Sequence, residues 1–290
     1  MKDSRYIGRF APSPSGPLHF GSLVTAVGSF LQARSVAGRW LLRIEDIDPP
    51  REVSGAAQMI VQQLHDFGLD WDGPIVYQSQ QYPRYQQQIE QWLAQGHAYY
   101  CQCTRKQIQA RGGLYDGHCR TLGLTAAPDL AIRLHCEHPA SGFYDQLRGY
   151  HPLAYELAQE DLIIYRRDGL YAYNLAVVLD DQAAGINEVV RGCDLLEPTA
   201  RQCNIYRMLG AKEPNYLHLP LVCDATGRKL SKQNHAPALD KANVLPTLHA
   251  ALAFLGHPVP PTWQQNSPRQ LLGKMAQIWD KQSIVIEHSS

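Results

Sequence analysis

The stretch from Arg9 to Ser22, RFAPSPSGPLHFGS, constrains the fold more than any other part of the chain. An apolar run from Tyr6 to Ala11 leads into it and predicts a buried strand, and apolar residues at helical spacing follow it. Three prolines and Gly16 lie between these two patterns. Because proline and glycine prevent regular structure, the stretch predicts a strand, a rigid loop and a helix with Ser22 as its N-cap.

The loop is a candidate phosphate site. A helix N-terminus exposes unpaired N–H groups and a partial positive charge, and both favour phosphate. Gly21 allows a ligand to approach the backbone closely, and His19 adds a hydrogen-bond donor. An ordinary turn between a strand and a helix would look similar, so the hypothesis requires a second segment elsewhere in the chain.

The second segment is Lys229-Leu-Ser-Lys232, which follows a flexible loop, Asp224-Ala-Thr-Gly-Arg. Two lysines that flank a serine suit a mobile clamp on a polyphosphate, because each lysine acts as a point charge. Taken alone, the segment is more typical of a solvated basic turn.

A second buried strand is predicted for Trp40–Glu45, and a helix closed by Gly68 follows it. The β-α-β-α order indicates a doubly wound parallel sheet, whose ligands bind at the carboxyl ends of the strands. We expect Arg9, Ser13 and Glu45 at that edge. Glu45 could bind an α-ammonium group, and the alternative is a surface pair with an arginine.

The apolar run Leu170–Asp181 predicts another strand, which ends in Asp180 and Asp181. Glu188–Gly192 predicts the next strand and contains Arg191. Guanidinium geometry matches a carboxylate, so Arg191 is a candidate clamp for a substrate carboxylate. A structural pair with Asp180 or Asp181 is the alternative. Arg9 and Arg191 together would favour a dicarboxylic amino acid.

Cysteine spacing predicts a zinc site, because Cys101-Gln-Cys103 is followed by Cys119 across a glycine-rich loop. His118 is the chemically usual fourth ligand, although it is adjacent to Cys119, and Tyr115 lies one helical turn earlier. The alternative is a cluster of reduced, half-buried cysteines. The other four cysteines lack metal-ligand spacing and are predicted to be core thiols: Cys136, Cys193, Cys203 and Cys223.

Composition limits the partners and the location. Lysine plus arginine and aspartate plus glutamate both number 27, so the net charge is zero, which counts against a large polyphosphate footprint but not against a local basic patch. The sequence contains no run of about 18 apolar residues, the length needed to span a membrane, and its N-terminus lacks a signal-peptide core. We expect a cytoplasmic protein with no membrane partner, whose cysteines are thiols or metal ligands rather than disulfides.

Together, the first loop and the KLSK segment resemble the HIGH and KMSKS signatures of class I aminoacyl-tRNA synthetases. Four segments are similar to the catalytic core of glutamyl-tRNA synthetases: RFAPSPSGPLHFG, LLRIEDID (41–48), EVVRGCDLLEPTARQ (188–202) and YLHLPLV…GRKLSK (216–232). Ser22 replaces the last histidine of HIGH, and Gln233 replaces the last serine of KMSKS. Both lysines of the KMSKS pattern are present.

The resemblance implies roles for particular residues. His19, Lys229 and Lys232 would be catalytic. Glutamate would be bound by Arg9, Phe10, Ala11, Pro12, Ser13, Glu45, Tyr173 and Arg191. ATP, with Mg²⁺, would be bound by His19, Gly21, Ser22 and Lys232. The Cys-x-Cys…Tyr-x-x-x-Cys set is similar to the zinc site of the short glutamyl-Q tRNA(Asp) synthetase branch, which implies one structural Zn²⁺ on Cys101, Cys103, Tyr115 and Cys119.

The implied architecture is α/β: a class I synthetase Rossmann-type doubly wound parallel sheet with an inserted α+β zinc-containing domain and a short helical C-terminal region. Its boundaries are the first catalytic half at 1–83, an acceptor-binding-like insertion with zinc at 84–173, the second catalytic half at 174–228, and the KMSKS-like loop with a short helical region at 229–290. The two short helices predicted after KLSK cannot form the anticodon-binding domain of full-length glutamyl-tRNA synthetases.

The short branch implies a monomer that activates L-glutamate with ATP and transfers it to queuosine in the anticodon loop of tRNA(Asp). Three alternatives stay open at this point. One is a truncated enzyme that charges the 3′ end of tRNA(Glu), and another is a non-catalytic tRNA-binding module. The third is a nucleotidyltransferase of the same superfamily, which would lack the LRIED and VVRG segments.

Overall fold

The computed structural model describes residues 6–137, 139–224, 227–230 and 236–286. The strands are β1 (Ile7–Phe10), β2 (Arg39–Ile44), β3 (Val76–Tyr77), β4 (Ala98–Cys101), β5 (Ala131–Leu134), β6 (Gly142–Asp145), β7 (Gly149–Pro152), β8 (Leu162–Tyr165), β9 (Glu188–Gly192) and β10 (Asn215–Leu219). The α-helices are α1 (Phe20–Arg34), α2 (Ala56–Asp66), α3 (Tyr82–Ala94), α4 (Arg105–Ala110), α5 (Tyr155–Gln159), α6 (Tyr173–Ala184), α7 (Leu196–Met208), α8 (Val244–Phe254) and α9 (Pro268–Ile278).

The first unit is the predicted strand–loop–helix–strand. β1 and β2 pair in parallel, from Ile7 with Arg39 to Phe10 with Leu42, and β3 extends the sheet beside β2. Helix α1 is the crossover between β1 and β2 and is buried from Leu23 to Ala33, except for Thr25, because α8 and α9 pack against it. The prediction of a parallel sheet is confirmed.

The second sheet has the strand order β7-β6-β10-β9. β6, β10 and β9 are parallel, and β7 closes the edge as an antiparallel strand. Just before β9, the Asn187 N–H donates to the Ile7 carbonyl oxygen at 3.0 Å, and the Ile7 N–H donates to Asn187 Oδ1 at 2.8 Å. The start of β9 therefore lies beside the start of β1, and the two sheets adjoin there.

Residues Tyr173–Ala184 form helix α6, so the strand predicted for Leu170–Asp181 is wrong. Every residue from Leu175 to Asp181 is buried, which leaves the helix without a polar face, and its apolar run then resembles that of a buried strand. Gly185 ends the helix in the left-handed conformation, with φ of 68°. Asp180 and Asp181 therefore belong to the last turns of a helix.

A third sheet, with the antiparallel order β4-β5-β8, packs with α3, α6 and α7 around a core of its own. The three strands of this sheet lie within 84–173, the range predicted for the inserted domain. The β6–β7 hairpin lies in the same range, but it pairs with β10 of the second sheet.

Helices α8 and α9 confirm the two helices predicted after KLSK. Their apolar faces join α1, β1 and β2 in the main core, in which Leu248, Leu252, Leu271 and Met275 are completely buried. Among the described residues, no helix combines the length and apolar character needed to cross a bilayer.

Candidate active site

A cavity of about 460 Å³ lies where β1, β2 and β9 end and α1 begins. This is the edge at which parallel α/β sheets bind their ligands. The predicted catalytic and substrate residues that the structure describes all line it: Arg9, Phe10, Ala11, Pro12, Ser13, His19, Gly21, Ser22, Glu45, Tyr173, Arg191 and Lys229. Lys232 lies outside the described residues.

His19 is the N-cap of α1, so the prediction of Ser22 as the cap is wrong. The His19 Nδ1 atom accepts a hydrogen bond from the Ser22 backbone N–H at 3.3 Å. Because Nδ1 is an acceptor, the neutral ring has its proton on Nε2. A helix N-terminus and an imidazole N–H donor thus adjoin at the cavity, which suits a phosphate group.

Lys229 and Leu230, the part of the KLSK segment that the structure describes, line the same cavity as this helix N-terminus. The Leu230 carbonyl oxygen lies 3.8 Å from the position that a Cβ on Gly21 would occupy, so the two segments are close. Lys229 Nζ donates to Asp194 Oδ2 at 2.5 Å, and both residues line the cavity. The first lysine of the predicted phosphate clamp is therefore at the cavity rim.

One wall of the cavity is a buried charge network, here called the Arg43 cluster, which consists of Arg9, Arg43, Glu45, Asp180 and Asp181. Arg43 Nη1 donates to Asp181 Oδ1 at 2.5 Å, and Arg43 Nη2 donates to Glu45 Oε1 at 3.1 Å. Arg9 Nε donates to both oxygens of Asp181, at 3.1 and 3.2 Å. All five residues are buried, so the alternative of Glu45 in a surface pair is wrong.

The carboxylates of the Arg43 cluster differ in their protonation equilibria. Burial raises the pKa of Asp181, but the charges of Arg43 and Arg9 outweigh burial, and the pKa lies below its ordinary value. Burial dominates at Glu45 and raises its pKa, although Arg43 and Arg9 oppose the shift. A cationic group placed in the cavity beside Glu45 would therefore favour its ionised form.

Arg191, on β9, is a buried arginine with neutral partners. Its Nη2 donates to Thr199 Oγ1 at 2.7 Å and to Gln202 Oε1 at 2.8 Å. Its Nε donates to His218 Nε2 at 3.2 Å, and its Nη1 is buried without a hydrogen-bond partner.

Within the described residues, no carboxylate lies in ion-pair contact with Arg191. The alternative in which Arg191 pairs with Asp180 or Asp181 is wrong, because those carboxylates pair with Arg43, Arg9 and Arg84. A buried cation without a counter-charge is costly, so an anionic ligand in the cavity would stabilise this site.

His218, on β10, is a residue beside the site that the sequence motifs did not identify. A histidine inside an apolar strand is a signal that could have indicated it. Its Nδ1 lies 2.7 Å from Asp145 Oδ2, and its backbone N–H donates to the same oxygen at 2.9 Å. Burial lowers the pKa of His218 to about 4, although Asp145 opposes the shift. The neutral ring therefore donates from Nδ1 to Asp145 and accepts from Arg191 at Nε2.

Three cysteines converge beside the end of β4. The Sγ atoms of Cys101, Cys103 and Cys119 all lie within 4.8 Å of one another, and all three residues are buried. Tyr115 is also buried, and its hydroxyl oxygen accepts a hydrogen bond from the Cys119 backbone N–H at 2.8 Å. His118 is not part of this group of ligand atoms.

Two arginines contact the sulfur atoms of the cysteine group. Arg133 Nε donates to Cys101 Sγ at 3.4 Å, and Arg111 Nη1 donates to Cys103 Sγ at 3.7 Å. Neighbouring cations favour the thiolate form, which is the form that binds a metal, although burial and the hydrogen bond with Cys119 raise the pKa of Cys103 to about 11. Three converging sulfurs suit a tetrahedral zinc ion, and Tyr115 is the fourth ligand that the family resemblance implies.

The other cysteines only partly follow the prediction of core thiols. Cys136 and Cys203 are buried, as predicted. Cys223 is exposed and Cys193 is half-buried, so the prediction is wrong for these two. Both flank segments that line the cavity, where the chain stays accessible to ligands.

Comparisons with known proteins agree with this site. Residues 7–253 match the model of the family described as tRNA synthetases class I (E and Q), catalytic domain. The chain is 55% identical over 280 residues to the glutamyl-Q tRNA(Asp) synthetase of Escherichia coli (strain K12), covering 96% of this chain and 90% of that protein. It is 57% identical over 277 residues to the enzyme of the same name from Photobacterium profundum, covering 96% of this chain and 89% of that protein.

A solved structure shows the same fold. The crystal structure of a glutamate tRNA ligase from Elizabethkingia meningosepticum, in complex with its amino acid, superposes with a TM-score of 0.79 at 25% identity. The superposition covers 97% of this chain and 66% of that chain.

Proposed function

The chain belongs to the class I (E and Q) tRNA synthetases and, within them, to the glutamyl-Q tRNA(Asp) synthetase family, and on that premise we propose the reaction it catalyses. Glutamate and ATP form glutamyl-adenylate and pyrophosphate. The glutamyl group then passes to queuosine in the anticodon loop of tRNA(Asp), with release of AMP. The observation that most supports glutamate as the substrate is Arg191, a buried cation with neutral partners at the cavity wall.

In this proposal, the two ends of glutamate are bound by opposite walls of the cavity. Arg191 binds the side-chain carboxylate through Nη1, which is buried without a partner. Glu45 binds the α-ammonium group, which adds the cation that its raised pKa favours. Arg9, Ser13 and Tyr173 complete the pocket, with Phe10, Ala11 and Pro12 as its floor. The role of these residues is to hold the α-carboxylate in line with the α-phosphate of ATP.

The nucleotide binds between helix α1 and the KLSK segment. The α1 N-terminus and His19, with Gly21 and Ser22, bind the phosphates, and Lys229 and Lys232 stabilise negative charge as pyrophosphate leaves. Mg²⁺, which the family uses with ATP, would neutralise phosphate charge. The carboxylates of the Arg43 cluster already pair with arginines, so we expect the ion to be bound mainly through phosphate oxygens.

We also propose that one Zn²⁺ is bound by Cys101, Cys103, Tyr115 and Cys119, as a structural site. The convergence of the three sulfurs and the position of the Tyr115 oxygen support it. Elemental analysis of untagged protein should find one zinc per chain. Replacement of Cys101 and Cys103 by serine should remove the zinc, whereas Cys203→Ser should retain it. Protein without zinc, or zinc that persists in the double variant, would contradict the assignment.

The acceptor is tested by mapping labelled glutamate on RNA. Protein, ATP and labelled glutamate are incubated with queuosine-containing tRNA(Asp), with the same tRNA lacking queuosine, and with tRNA(Glu). Nuclease fragments should show the label in the anticodon loop of the first tRNA alone. Label on the terminal adenosine of tRNA(Glu) would contradict the proposal and identify an ordinary charging enzyme instead.

A further inference from the structure

Gln63, on α2, makes a two-sided contact with the backbone of Leu18, the residue before His19. The Leu18 N–H donates to Gln63 Oε1 at 2.7 Å, and Gln63 Nε2 donates to the Leu18 carbonyl oxygen at 3.4 Å. The side-chain amide thus pairs with both backbone groups of Leu18, as the backbone of a neighbouring strand would. It fixes the backbone immediately before the residue that caps α1 at the cavity.

The same amide contacts the chain on the far side of the KLSK segment. Gln63 Nε2 donates to the Leu239 carbonyl oxygen at 3.4 Å, and the Leu239 N–H donates to the Leu18 carbonyl oxygen at 2.9 Å. His19 and Ala238 form an antiparallel bridge beside this contact. Three segments that are far apart in sequence therefore meet at one side-chain amide.

Apolar packing holds one side of this junction, because Leu18 is buried in the main core and Leu239 packs against it. A cleft of about 360 Å³ lies beside Gln63, between α2 and residues 238–241, and Gln63 lines it. Residues 238–241 are therefore separated from part of α2 by this cleft, and the hydrogen bond of Gln63 to Leu239 connects the two.

We propose that Gln63 is a positioning residue that couples the two halves of the nucleotide site. It holds the backbone of Leu18, and hence His19, against the segment that follows the KLSK lysines. The inference rests on the proposed function, because it assigns Gln63 to the adenylation step. Gln63 does not line the cavity and acts through Leu18 and Leu239.

The test compares variants in glutamate-dependent ATP–pyrophosphate exchange. Gln63→Leu removes both hydrogen-bonding functions at nearly constant volume. We expect its kcat to fall about tenfold, because small displacements of reacting groups are costly, while the KM for glutamate stays within about twofold. Gln63→Glu keeps the acceptor for the Leu18 N–H but sets a carboxylate oxygen against the Leu18 and Leu239 carbonyl oxygens, so it should also lower kcat.

Gln62→Leu is the matched control, since the neighbouring Gln62 is exposed on the same helix and, among the described residues, its side chain bonds to Asp66 alone. It should exchange at the wild-type rate. An unchanged kcat in Gln63→Leu, or an equal loss in Gln62→Leu, would overturn the inference, as would an equal rise in the KM for glutamate. Absence of exchange in the wild-type protein would instead contradict the proposed function.

Discussion

Arg43 and Arg191 are both buried beside the same cavity, but their partners differ in charge. Arg43 contacts Asp181 and Glu45 and lies within 4.0 Å of Asp180. Arg191 contacts a hydroxyl, an amide oxygen and a neutral imidazole. The charge of Arg43 is thus compensated within the protein, whereas Arg191 has no carboxylate partner among the described residues. In the proposed function, Arg43 supports the fold and Arg191 makes the site selective for an anion.

The largest expected effect is on stability, and it separates the two arginines. Arg43→Met would leave Asp181 and Glu45 with less compensation in a buried setting, and should lower the free energy of unfolding by about 3–5 kcal/mol. Arg191→Met is the matched change at an equally buried site. It removes hydrogen bonds to neutral acceptors and a cation–π contact with Tyr216, leaves no carboxylate uncompensated, and should cost less than about 2 kcal/mol. Urea unfolding of both variants measures the difference, and equal losses would contradict the comparison.

The second effect is the pH dependence of stability from His218. Its pKa of about 4 in the folded protein lies below the ordinary value of 6.5, so the unfolded chain binds more protons between these values. The stability that depends on neutral His218 is therefore complete above pH 6.5 and is lost as the pH falls towards 4. From pH 7 to 5, His218 should therefore contribute a loss of roughly 2 kcal/mol.

His218→Gln keeps an acceptor for Arg191 and does not titrate. Unfolding at pH 7 and pH 5 should show a smaller loss in this variant than in the wild-type protein. The same loss in both proteins would show that His218 is not the neutral acceptor that the Arg191 contact requires.

The smallest effect concerns the orientation of Arg191. Thr199→Val removes the hydroxyl that accepts from Arg191 Nη2 and nearly preserves the side-chain shape. The KM for glutamate should rise about fivefold, which corresponds to about 1 kcal/mol, with kcat nearly unchanged. A loss confined to kcat would show that Thr199 acts on the chemical step and not through the Arg191 contact.

Much of the framework could be predicted from local patterns. The strand, loop and helix around Arg9–Ser22 follow from periodicity and proline, and the motif residues converge because parallel strands share a carboxyl edge. Helix α6 could not be separated from a strand by its apolar run, because residues 175–181, about two turns of the helix, are buried on all sides. Its length and the glycine at its end were the available signals.

The electrostatic difference between the arginines could not be predicted. Arg191 obtains its partners from α7 and β10, and Arg43 obtains Asp180 and Asp181 from α6, so both environments depend on long-range packing. The sequence left open, as an alternative, a pair between Arg191 and those aspartates. In the structure the aspartates pair with Arg9, Arg43 and Arg84 instead. The cap formed by His19 also departs from the usual preference for serine.

The most direct test of the unpaired Arg191 charge is discrimination between glutamate and glutamine. The ratio of kcat/KM for the two amino acids is measured by ATP–pyrophosphate exchange in the wild-type protein and in Arg191→Gln. The wild-type protein should prefer glutamate by about 100-fold or more, since loss of a buried charge pair costs about 2–5 kcal/mol. Arg191→Gln should reduce the preference to less than about tenfold. An unchanged preference in the variant would contradict the assignment of Arg191 to the side-chain carboxylate.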